Sequence, residues 1–189
     1  MKLLFVDCCI SQRGKESRTL ALAKAYIDAF RAAHPDWEVE RADSMDLPPL
    51  TAEFLDDRDT RKGEFSAPMF AAARQFQSAD SIVVAAPYWD LSYPAQLKTY
   101  IEHISVNGLC YHYTEQGCQG DCKAEKLVYL TSGGDFEGED SVGVLHWKQL
   151  CKMFGIETFT YVFAGGMDID PVKTPELLAQ ACEKARSLV

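Results

Sequence analysis

At 189 residues the chain is long enough for one domain with a sizeable core and marginal for two. Apolar residues at 47% beside 25% charged ones exclude a disordered chain, and a formal net charge of −9 argues against a nucleic-acid binder, which needs a basic face for phosphates. A small anionic ligand stays open, because a helix N-terminus can bind phosphate without net positive charge.

The opening run, Leu3-Leu4-Phe5-Val6, reads as a buried first strand and is too short for a signal-peptide core. No apolar run approaches the roughly 20 residues of a membrane-spanning helix. A cytoplasmic protein without membrane contact is expected. After the polar, glycine-containing loop that follows, Leu20, Ala23, Ile27 and Phe30 recur at helical spacing and predict a helix from Arg18 to about Ala33. Trp37 to Arg41 alternates as a strand. Ala42 to Glu64 is rich in proline and acidic residues and is expected to be an irregular excursion.

Ala67 to Ser78 reads as a helix with Phe70, Ala73 and Phe76 inward. Ser81 to Ala86 is apolar along nearly its whole length, as suits a strand covered by helices on both faces. Pro87 ends it, and a helix beginning near Pro94 carries Leu97, Ile101 and Ile104. A hairpin around Tyr111 to Glu115 precedes the strand Leu127 to Thr131. A helix from about Ser141 to Met153, a strand from Thr158 to Phe163 and a last helix from Pro175 complete the chain.

Five strands alternating with helices predict one α/β domain over residues 1–189, with a doubly wound parallel sheet of flavodoxin-like order 2-1-3-4-5 and helices on both faces. Ligands of such sheets bind beyond the carboxyl ends of the strands. That rule selects three loops: Cys8 to Ser17, Pro87 to Tyr93, and Ser132 to Gly138.

In the first loop, Ser17, Arg18 and Thr19 stand where a helix begins, so N–H groups, hydroxyls and a guanidinium can converge on an anion. The same residues also suit a plain helix cap with solvated charges. A Walker A loop is excluded, because Gly14-Lys15 is followed by Glu16 and lacks the earlier glycine. A small tyrosine phosphatase needs arginine six positions after its cysteine, where Cys8 and Cys9 have Gly14 and Lys15. An anion cradle without a nucleophile remains.

The second loop offers Tyr88 and Trp89 as flat apolar surface for a planar ring, although core or interface positions would explain them too. Ser132-Gly133-Gly134 lets backbone approach a ligand closely, or is an ordinary turn. Seven cysteines, an odd count without an export signal, favour reduced thiols. Cys110, Cys118 and Cys122 lack a fourth ligand at a recognisable spacing, so free thiols rather than a metal are expected there.

Together these segments resemble the FMN-dependent NAD(P)H:quinone oxidoreductase and azoreductase family. The resemblance is carried by Ile82-Val83-Val84-Ala85-Ala86-Pro87 leading into Pro94-Ala95-Gln96-Leu97-Lys98-Thr99-Tyr100, and by Tyr111-His112-Tyr113-Thr114-Glu115. Leu130-Thr131-Ser132-Gly133-Gly134 and Phe154-Gly155-Ile156 complete it.

It implies FMN as cofactor, NADH or NADPH as co-substrate, and a quinone, azo or nitro aromatic as acceptor. A homodimer with its sites at the interface is also implied. On the matching positions, Cys9, Ser11, Lys15, Glu16, Ser17, Arg18 and Thr19 would hold the phosphate and ribityl end. Pro87, Tyr88, Trp89, Asp90 and Leu91 would flank the isoalloxazine ring, and Ser132, Gly133 and Gly134 would meet its far edge. Tyr111 and Met153 would line the acceptor pocket. Tyr111, His112 and His146 are candidate proton donors, although a structural or solvated role explains each histidine more simply. The chain departs from the family in having Cys9 where serine is frequent, and Tyr88-Trp89-Asp90-Leu91 where a Met-Tyr-Asn-Phe-like run is usual.

Overall fold

A computed structural model describes residues 1–9, 17–42, 46–136, 138 and 140–189. The chain begins with β1 (Lys2–Asp7), α1 (Arg18–Ala33) and β2 (Glu38–Ala42), followed by α2 (Ala52–Thr60). A 3-10 turn (Pro68–Phe70) runs into α3 (Ala71–Ser78), then β3 (Ser81–Ala85) and α4 (Ala95–Ile104). The hairpin β4 (Tyr111–Thr114) and β5 (Gly117–Gly120) precedes β6 (Lys126–Ser132), α5 (Val142–Phe154), β7 (Thr158–Ala164) and α6 (Thr174–Arg186).

The main sheet has the order β2-β1-β3-β6-β7, and every pairing in it is parallel. With the hairpin set aside, this is the expected order 2-1-3-4-5. Alternation along the strands divides the core in two. Leu4, Val6, Ile82, Val84, Leu127 and Tyr129 face α3, α4 and α5, where Phe76, Leu97 and Trp147 are fully buried. Leu3, Phe5, Val83, Val128 and Leu130 face α1 and α6, against Leu22, Tyr26 and Phe30. Each large apolar side chain so buried contributes roughly 1.5–3 kcal/mol.

The segment 42–64 departs from expectation, because Ala52–Thr60 is helical. No residue of α2 is buried, so it has no apolar periodicity to read. Its ends are made by polar contacts: Thr51 Oγ1 accepts from Phe54 N at 3.2 Å, and Arg61 pairs with Asp57 at 2.8 Å. The Phe54 ring meets His103 edge-on, 5.1 Å between centroids.

Register aligns the carboxyl ends of the central strands, with Asp7 beside Ala85, Ala85 beside Leu130, and Ser132 beside Ala164. The loops that leave β1, β3 and β6 therefore open on one rim. The hairpin docks elsewhere. Gly120 lies so close to the end of α5 that a Cβ there would stand 2.0 Å from Gly155 N.

Candidate functional site

Asp7 ends β1 nearly buried; its carboxylate accepts from Cys9 N at 3.0 Å and from Arg41 Nη2 at 2.7 Å. These bonds hold Cys9 at the strand's mouth, its Sγ 3.9 Å from Ala85 O. Burial, with the Asp7 charge second, pushes the Cys9 thiol well above its ordinary range. It is a neutral, poorly nucleophilic group.

Ser11, Lys15 and Glu16 lie outside the described residues. Ser17 caps α1, its Oγ accepting from Leu20 N at 3.3 Å, as the plain helix-cap reading of this turn expects. Arg18 Nη1 reaches Asp168 Oδ1 at 2.7 Å. Thr19 Oγ1 is 2.7 Å from Ser132 Oγ, which ties α1 to β6.

The second loop is fastened to the third by Tyr88 N donating to Ser132 O at 2.9 Å. The Tyr88 ring packs edge-on against Phe163, 5.2 Å between centroids. Gly133 is needed where these rings meet, since a Cβ there would lie 2.9 Å from Phe163 and 3.1 Å from Tyr88. Trp89 is 41% exposed. Beyond it Asp90 and Leu91 take left-handed backbone, φ 51° and 60°, and Ser92 N closes the turn on Trp89 O at 2.8 Å.

The three loops converge on one open cleft of about 200 Å³. Cys9, Ser17, Arg18 and Thr19 line one part of it. Pro87, Tyr88, Trp89, Ser132, Gly133 and Gly134 line the rest. Asp90 and Leu91 are not among its lining residues; they are exposed at the edge of the loop.

The donor set fits a phosphorylated planar cofactor. A guanidinium, two hydroxyls and the start of a 16-residue helix gather beside an aromatic pair and a glycine-rich turn.

Asp168 also lines the cleft, and sequence reading missed it. It follows β7, whose carboxyl-end loop was not among those chosen. The strand-end rule points to that loop as well, through Gly165-Gly166.

Tyr111 lines a separate cleft of about 100 Å³, with Arg58, Lys62, Phe65 and Asn107. Burial raises its phenol above the usual range. Met153 is half-buried on α5, with Cys118 Sγ 3.9 Å from its carbonyl. His112 is exposed and pairs with Asp121 at 2.8 Å. His146 Nδ1 is hydrogen-bonded to Tyr93 Oη; burial, then Lys98, lowers its pKa, while burial pushes Tyr93 up to about 12. Among these four, none lines the three-loop cleft within one chain. All seven cysteines carry free thiols.

The Flavodoxin_2 family model, described as a flavodoxin-like fold, matches residues 1–189. An FMN-dependent NADH:quinone oxidoreductase of Clostridium beijerinckii is 32% identical over 191 residues, covering 98% of this chain and 96% of its own. FMN-dependent NADH:quinone oxidoreductase 5 of Pseudomonas fluorescens is 32% identical over 182 residues, covering 88% and 87%. Among solved structures, an azoreductase from Bacillus anthracis superposes with a TM-score of 0.86 at 24% identity, covering 100% of this chain and 98% of its own. A second B. anthracis protein, an FMN-dependent NADH-azoreductase in complex with FMN, gives 0.80 at 19%, covering 99% and 98%. These two show likeness of fold.

Proposed function

The chain belongs to the flavodoxin-like Flavodoxin_2 family and to its FMN-dependent NADH:quinone oxidoreductases, and on that premise we propose that it uses FMN to pass electrons from NADH or NADPH to quinones. Azo and nitro aromatics are further acceptors. The observation that carries this reading is the meeting of the capped α1 start, the Tyr88-Trp89 loop and Ser132-Gly133-Gly134 in one cleft.

When bound, FMN supplies the hydride chemistry. The protein's part is to hold and orient. Ser17, Arg18, Thr19 and the free N–H groups of the first turn receive the phosphate end, joined by Ser11, Lys15 and Glu16 of the preceding loop. Cys9 adds a weak sulfur contact where a hydroxyl would bond more strongly. Pro87, Tyr88 and Trp89 wall the ring, Asp90 and Leu91 shape the turn beyond it, and the Gly133-Gly134 backbone closes on its far edge. No GxGxxG motif occurs in the sequence, so nicotinamide and acceptor occupy the same cleft in turn, a ping-pong order.

The working unit is a homodimer of one-domain chains over residues 1–189, with a site at each interface. Two features support it. Tyr111 and Met153, which the family resemblance assigns to the acceptor pocket, stand outside the cleft of their own chain. Leu91, Val142 and Leu145 are apolar side chains left exposed. In a dimer, Tyr111 or His112 of a second copy would supply the acceptor's proton, with His146 the remaining candidate. Seven free thiols suit the reducing cytoplasm, and no helix among the described residues is long and apolar enough to cross a membrane.

The visible spectrum of the purified protein tests the cofactor. Flavin bands, and FMN as the chromophore released on denaturation, are the expected result. A colourless protein that stays so after incubation with FMN contradicts it.

A further inference from the structure

Asp168 is a carboxylate in a cleft otherwise furnished for an anion. Its place is fixed by the backbone: Asp168 N donates to Gly134 O at 3.1 Å, and Met167 N to Gly133 O at 3.2 Å. Thr174 Oγ1 anchors the same segment through Met167 O at 2.9 Å. The carboxylate lies directly over Gly134, where a Cβ would stand 2.6 Å from Asp168 Oδ2. Among the described residues its side-chain hydrogen bond is the one from Arg18 to Oδ1, and the side chain is 69% exposed.

Asp168 thus stands between the start of α1 and the glycine turn of the third loop. On the FMN reading, on which this inference rests, these are the phosphate end and the ring end of the cofactor. A carboxylate accepts hydrogen bonds and repels phosphate. Arg18 offsets that repulsion on the phosphate side through Oδ1. Oδ2 is left for neutral donors, which such a cofactor carries as the hydroxyls of its polyol chain and as ring N3–H; a position between the phosphate end and the ring end selects the polyol. We propose that Asp168 is a cofactor-positioning residue that recognises the ribityl hydroxyls, with Arg18 separating its charge from the phosphate.

Three flavins isolate the contact: FMN, riboflavin without the phosphate, and lumiflavin without the ribityl hydroxyls. Their dissociation constants are read from flavin fluorescence with wild-type protein and Asp168→Ala. The substitution is at an exposed side chain, so the fold is kept, and lumiflavin binding reports directly on the shape of the ring site.

Loss of a hydrogen bond to a charged acceptor weakens binding by about tenfold or more. Riboflavin affinity is expected to fall by about that factor while lumiflavin affinity is unchanged. FMN affinity falls less, because Arg18, released from Asp168, turns wholly to the phosphate.

Unchanged riboflavin affinity overturns the proposal, and so does an equal loss for lumiflavin. Wild-type protein that binds riboflavin no more tightly than lumiflavin also counts against it, since the polyol then adds nothing. Wild-type protein that binds none of the three overturns the FMN reading itself, a distinguishable result.

Discussion

Thr19 Oγ1 and Ser132 Oγ, 113 residues apart in sequence, stand 2.7 Å from each other and join the first turn of α1 to the last residue of β6. Thr19 is 2% exposed, so its hydroxyl depends on this partner. Ser132→Ala leaves that hydroxyl unpaired and is expected to cost about 1–3 kcal/mol of apoprotein stability, read as a lower urea midpoint. Adding Thr19→Val removes both partners and should recover part of the loss. A double variant less stable than the single one would show that the bond is not what holds these elements together.

Leu91 carries left-handed backbone, φ 60°, at a position without a glycine. Such a residue stores roughly 1–3 kcal/mol, part of which Leu91→Gly releases at the expense of a floppier unfolded chain. The expected outcome is a raised melting temperature of the apoprotein by a net gain of about 1 kcal/mol. FMN affinity should fall, since the turn beyond Trp89 is no longer held. A lower melting temperature would show that Leu91 contributes packing that outweighs its strain.

Gly120 touches the backbone of Phe154 and Gly155 so closely that no side chain fits. Gly120→Ala must push the β4–β5 hairpin away from α5, with an expected loss of about 1–3 kcal/mol. The three-loop cleft is built from other elements, so FMN affinity should change little. If the hairpin's Tyr111 lines the acceptor pocket of the dimer, the quinone KM rises. Denaturant midpoints, FMN titration and quinone kinetics on one preparation separate these effects.

His146 gives stability a pH dependence of known sign. Burial and Lys98 lower its pKa below the ordinary value of 6.5, so near that pH the unfolded chain binds the proton more readily. The contribution is fully present above 6.5 and is lost as the pH falls through the depressed folded value. Melting temperatures of wild type should therefore drop more steeply on acidification than those of His146→Gln. Parallel curves would mean that His146 titrates alike in both states.

The sheet was legible because its strands obey simple patterns. Ser81 to Ala85 is buried at every position, and an apolar run of that length admits few other readings. The helices α1, α4 and α5 were legible for the opposite reason, an inward stripe at helical spacing with Ser17, Pro94 and Ser141 at their starts. α2 was hidden because a helix with no buried residue leaves no stripe.

In the cleft, residues following β1, β3 and β6 could be found by strand order alone. Asp168 could not be found from its own type, since one aspartate after a glycine pair looks like any turn. It becomes visible through Arg18 and Gly134, which only the folded chain brings beside it.

The most direct test of the enzyme reading is NADH and NADPH oxidation by apoprotein titrated with FMN, with menadione as acceptor. Turnover with at least one nicotinamide is expected to rise with FMN and level off at one FMN per chain. Double-reciprocal lines should stay parallel as the quinone is varied. Protein that binds FMN yet gives no flavin-dependent oxidation of either nicotinamide would contradict it and leave an electron carrier of the same fold.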